Sequence, residues 1–145
     1  MNAVDLRSLL AEANHGGAYF VAESDTAAIA EAGAALRYEV VHIDLAGCVD
    51  APTLFARFAR ALRFPDWFGL NWDALADSLG DLSWLPASGY VLLIENASGW
   101  RAAAGEDAAT LLEVLNAAGA SWAAQGIAFW ALLPLPAPEL DALDR

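Results

Sequence analysis

The chain has 145 residues, 58% of them apolar and 18% charged, and its nineteen acids face seven bases, all of them arginine, for a net charge of -12. That length suits one domain with a sizeable core, and the apolar content excludes a disordered chain. The acidic field repels phosphate backbones and anionic lipid, so neither nucleic acid nor a membrane surface is expected as a partner.

The single cysteine, Cys48, has no intramolecular disulfide partner and points to a reducing compartment. No ligand spacing joins it to His15 and His42, so no metal is expected. Asp5, Arg7, Glu12 and Asn14 interrupt Leu6, Leu9 and Leu10, which is unlike a secretory signal, and the expectation is a cytoplasmic protein. The most apolar run, residues 127–133, is far short of the ~20 residues that span a bilayer.

In chain order, Leu6, Leu9, Leu10 and Ala13 recur at helical spacing before the Gly16-Gly17 stop, which predicts a short first helix. Residues 18–21 read as a short strand, and Ser24 or Asp25 is placed to cap an alanine-rich helix over residues 26–36. The β-branched run of residues 40–45 predicts a central strand. Asp50 and Pro52 then open a helix whose buried stripe is Leu54, Phe55, Phe58, Ala61 and Leu62, with Arg57, Arg60 and Arg63 mainly on its solvated side and Pro65 at its end. Asn71 is placed to cap a helix running to Leu79 with Gly80 as its stop. Residues 90–95 read as a second buried strand, residues 107–124 as a long helix with a bend or break near Gly119, and residues 127–133 as the last strand before a proline-rich exit. Apolar strands alternating with helices predict an α/β fold with a parallel sheet.

Acid and aromatic character coincide between Phe64 and Trp100, where five acids stand without a base beside four of the six tryptophans. At ~100° per residue Trp72, Leu75 and Leu79 share one side of their helix, and Asp73 and Asp77 lie one turn apart on the other. Like charges at that spacing disfavour each other by ~0.2–0.5 kcal/mol, so helix stability alone does not account for the pair. Trp67, between Pro65 and Gly69, either folds back over the core or serves as an interface anchor.

Enzymatic readings fare poorly. A glycosidase needs two carboxyl groups across a cleft, and no nucleophile, oxyanion or phosphate-binding motif accompanies these two. Two aspartates fall short of the 6–8 oxygens of a calcium site. Cys48 and His42 have no assured partnership, so no enzyme and no cofactor are expected.

The segment Phe64-Pro65-Asp66-Trp67-Phe68-Gly69-Leu70-Asn71-Trp72-Asp73-Ala74-Leu75-Ala76-Asp77-Ser78-Leu79 resembles the barstar family of intracellular inhibitors of the ribonuclease barnase. The likeness extends over residues 38–133. It implies a barstar-like α/β fold with a small parallel sheet of three strands, to which the N-terminal extension, residues 1–37 (helix, short strand, helix), would add a fourth at the edge. Residues 134–145 would form a C-terminal tail of the one domain, residues 1–145. The resemblance also implies an acidic helix and preceding loop that plug a basic nuclease active site. Asp77 would take the place of a substrate phosphate and Asp73 would pair with further basic groups. Trp67 would pack on the enzyme's catalytic histidine, and Gly69 and Asn71 would touch the partner.

The expected partner is thus a basic microbial ribonuclease or nuclease toxin, bound one to one without chemistry. The alternative is a non-inhibitory interaction module that binds another basic protein. Three family positions differ: Ala76 stands where the family has tryptophan, Ala117 where it has an acid (with Glu113 one turn earlier), and Leu82 where it has an aromatic.

Overall fold

A computed structural model describes residues 3–143, with side chains from Leu6 onward. Four strands, β1 (Gly17–Ala22), β2 (Glu39–Asp44), β3 (Gly89–Glu95) and β4 (Ala128–Leu135), form one sheet in the order β1-β4-β3-β2. Every pairing is parallel. The two central strands, β3 and β4, are buried almost throughout, which explains their unbroken apolar sequences. The edge strand β2 instead alternates, with Val41 and Ile43 buried and His42 and Asp44 exposed.

Helices lie on both faces. Val41, Ile43, Leu92, Ile94, Phe129 and Leu133 pack one face against α3 (Ala51–Ala61), α4 (Trp72–Asp81), α5 (Ser98–Ala104) and α6 (Glu106–Ala123). Val91, Leu93, Trp130 and Leu132 on the opposite face meet Leu6 and Leu10 of α1 (Ala3–Leu10) and Ile29 and Ala32 of α2 (Thr26–Ala35). The α1 C-terminus is fastened there, because the Leu10 carbonyl accepts from Trp130 Nε1 at 2.9 Å and from the Tyr38 hydroxyl at 3.2 Å. After β4, α7 (Ala137–Ala142) docks on α5, with Glu139 accepting from Ser98 Oγ at 2.5 Å and from Arg101. Among the described residues no helix is long and apolar enough to cross a membrane.

The barstar-like three-stranded sheet expected from the sequence, with an optional fourth strand, is corrected. The sheet has four strands, and the fourth, β1, lies at the edge where the N-terminal extension was expected to add one, pairing with β4 from Gly17 opposite Trp130 to Ala22 opposite Leu135. Smaller differences have local causes. Gly80 does not stop α4, which runs to Asp81 and ends on Leu82 in the left-handed region at φ 47°. α6 continues through Gly119 without a break. Asp25 occupies the N-cap position of α2, but its side chain makes no capping bond. α5 and α7 answer to no sequence expectation.

Candidate functional site

The acidic segment begins where α3 ends. Arg63 turns into the left-handed region at φ 56°, and the Phe64 N–H donates to the Ala59 carbonyl at 2.9 Å. Phe64 is then held edge-on by Phe68, at 4.7 Å between ring centroids, and by Trp84 at 5.8 Å. Trp84 in turn donates its indole N–H to the Leu62 carbonyl at 3.0 Å. These three aromatics anchor the loop from within and leave Trp67 72% exposed and Leu70 58% exposed. Trp67 therefore projects from the surface and does not fold over the core. Gly69 and Asn71 are also exposed, and the Gly69 carbonyl accepts from the Asn71 N–H at 2.9 Å.

Asn71 caps α4 as expected, its Oδ1 accepting from the Ala74 N–H at 2.8 Å. Leu75 and Leu79 are fully buried, and Trp72 packs edge-on against Phe55 at 4.9 Å. This packing fixes the helix rotation, so Asp73 and Asp77 are exposed as their spacing predicts. Asp81 is exposed one further turn along, extending the acidic series to three; that 73, 77, 81 spacing was readable in the sequence but was not singled out. The position of α4 against α6 is fixed by Trp122, whose Nε1 donates to the Leu79 carbonyl at 2.8 Å.

Between the two helices lies a groove of about 460 Å³, lined by Ala76, Asp77 and Asp81 from α4 and by Val114, Ala117 and Ser121 from α6. Two of the departures from the family pattern, Ala76 and Ala117, thus meet in one place. Glu113 is exposed and Leu82 is 1% exposed, within the core.

Other chemistry-bearing groups lie elsewhere. At the C-terminal ends of β2 and β3, His42 Nδ1 bonds Glu95. Asp44 accepts from Asn96 Nδ2 at 2.7 Å and from the Ala46 N–H at 2.9 Å, and these bonds, that of Asn96 foremost, hold its carboxyl below the usual range. Cys48 is 1% exposed, and burial pushes its thiol up, away from the nucleophilic thiolate. Arg57 donates to the Asp44 carbonyl at 2.8 Å. Among the described residues no three His, Cys, Asp or Glu side chains gather as a metal site.

No curated protein matches the chain. Among solved structures, the ORC2 protein of Aeropyrum pernix, determined in ADPNP-ADP complexes, is similar with a TM-score of 0.59 and 14% sequence identity. The match covers 98% of this chain but only 42% of that one, and at such identity the likeness is one of fold. It overturns the barstar-like description of the whole architecture: the four-stranded α/β arrangement, N-terminal segment included, is shared with a protein of another kind. Within that arrangement, the family described as barstar (barnase inhibitor) matches residues 38–134, about two thirds of the sequence, which takes in the loop, α4 and the groove, and the chain belongs to the barstar family.

Proposed function

We propose that this protein inhibits a basic ribonuclease or nuclease toxin in the cytoplasm by inserting the acidic side of α4 and the Trp67 loop into its active site. The observation that carries the reading is the surface itself. Asp73, Asp77 and Asp81 stand exposed in a ladder on α4, and the loop leading into that helix carries a 72% exposed tryptophan, in a segment that contains no base. An exposed aromatic of that size in the same segment as a series of exposed carboxylates matches the anchors that dominate charged protein interfaces. Asp77 would replace a substrate phosphate, Asp73 would pair with neighbouring cations, and Trp67 would cover the catalytic imidazole, with Gly69 and Asn71 forming the rim. Inhibition would be steric and electrostatic, one to one, without turnover or cofactor.

A second reading is favoured by the groove. With alanine at positions 76 and 117, the surface beside Asp77 is hollow, and its partner would need a side chain to fill it. A basic protein other than a nuclease would satisfy the same charges.

Titrating the protein against a panel of small basic ribonucleases, at low and moderate salt, separates the readings. Inhibition that weakens with salt and falls at least a hundredfold in the Asp73→Ala/Asp77→Ala double variant supports the inhibitor. Binding without inhibition selects the interaction module, and affinity unchanged in the double variant removes α4 from the interface.

A further inference from the structure

A large cavity lies away from α4. It has a volume of about 560 Å³, within the range of small-molecule sites, and opens where α1 and α2 meet β1 and β4 on the opposite face of the sheet. Leu6, Leu10, Ile29 and Leu132 supply apolar walls. Tyr19 and Trp130 line it together, their ring centroids 5.6 Å apart and their planes inclined by 36°. Two of the large apolar side chains left exposed on this protein, Leu9 at 39% and Tyr19 at 44%, also belong to its lining.

The polar groups narrow the choice of occupant. The aromatic donors are already committed: Trp130 Nε1 donates to the Leu10 carbonyl at 2.9 Å, and the Tyr19 hydroxyl to the His15 carbonyl at 2.6 Å. His15 turns Nδ1 to Glu12 at 2.6 Å. Tyr19, 44% exposed, therefore offers its ring to the cavity, and Trp130, 3% exposed, backs it from the core. Asp25 adds a carboxylate that makes no capping bond to α2, and among the described residues neither lysine nor arginine lines the cavity. Carboxylate oxygens and the Tyr19 ring face around apolar walls reject an anion and suit a cation, because both are negative.

We infer that this cavity binds a small organic cation with an apolar body, a hydrophobic ammonium, held by the Tyr19 ring with Glu12 and Asp25 as its counter-charges. The site uses residues 6–29 together with β4, and it is independent of the α4 surface.

The test is calorimetric titration of the full chain with benzyltrimethylammonium, its uncharged tert-butyl carbon isostere neopentylbenzene, and phenylacetate. The ammonium should bind at least tenfold more tightly than either comparison ligand. Glu12→Gln/Asp25→Asn, two exposed changes, should weaken the ammonium about tenfold while leaving the isostere unaffected. Val21→Trp, which fills the cavity from a half-buried position on β1, should abolish binding, and Asp73→Ala/Asp77→Ala should leave it unchanged. Absence of ammonium binding to the folded protein, equal binding of the isostere, or binding untouched by both cavity variants would each overturn the assignment.

Discussion

Leu75 and Asp77 stand two positions apart on α4 in opposite environments, one fully buried in the core and the other in solvent. The burial of Leu75 makes it a structural residue whatever α4 binds. Truncation to alanine removes its transfer energy and leaves a cavity that the surrounding core only partly fills. Leu75→Ala should therefore lower stability by ~2–5 kcal/mol in chemical denaturation. Asp77→Ala should leave the unfolding midpoint where it is, since the side chain is exposed and has no hydrogen-bond or ion-pair partner among the described residues. A neutral Leu75→Ala would mean that α4 is rotated from the orientation described. The same contrast decided what was legible in the candidate site. Spacing alone placed Asp73, Asp77, Leu75 and Leu79 correctly, because a helix rotation has one dominant solution once its apolar stripe is known. Trp67 was undecidable from sequence, since its exposure depends on Phe64, Phe68 and Trp84 closing the loop beneath it, a contact between segments some twenty residues apart.

At the scale of elements, the strands were the most readable features, because burial on both faces leaves continuous β-branched and apolar runs. Errors fell where a local signal yields to packing. Pro134 looked like an exit from the last strand, yet β4 continues to Leu135. The proline is tolerated there because pairing with β3 ends at Leu132, and β1 alone flanks the strand beyond that point. Gly119 looked like a helix breaker, and its role is close approach. A Cβ built on it would lie 2.7 Å from the Gly17 Cα and 2.8 Å from the Gly17 backbone nitrogen, so the glycine lets α6 lie directly against the start of β1. Alanine normally improves a helix interior by about 1 kcal/mol over glycine. Here the clash is with backbone, which cannot rotate aside, and Gly119→Ala should destabilise by ~1–3 kcal/mol. A thermal melt showing a gain would refute the close packing of α6 on β1. α5 and α7 escaped notice because helices of seven and six residues carry too few turns to show a period.

For the whole molecule, the question is what residues 1–37 contribute to a sheet whose remaining strands lie in the family-matched segment. β1 takes the edge position that the sequence suggests, and the packing gives that segment a larger share as well. β1 pairs with β4 along six residues, and α1 and α2 cover Val91, Leu93, Trp130 and Leu132 on the face opposite α4. Each of those side chains gains roughly 1.5–3 kcal/mol from burial, so uncovering four of them rivals the ~5–15 kcal/mol net stability of a typical domain. Removal of β1 would also turn β4, buried along all eight residues, into a long apolar edge open to pairing with other chains. A chain spanning residues 38–145 should therefore lose cooperative unfolding and self-associate, as read by calorimetry and sedimentation. If it instead stayed monomeric with an unchanged melting temperature, the two layers would be energetically separable, and the N-terminal layer would be free to serve its own ligand without supporting the acidic helix across the sheet.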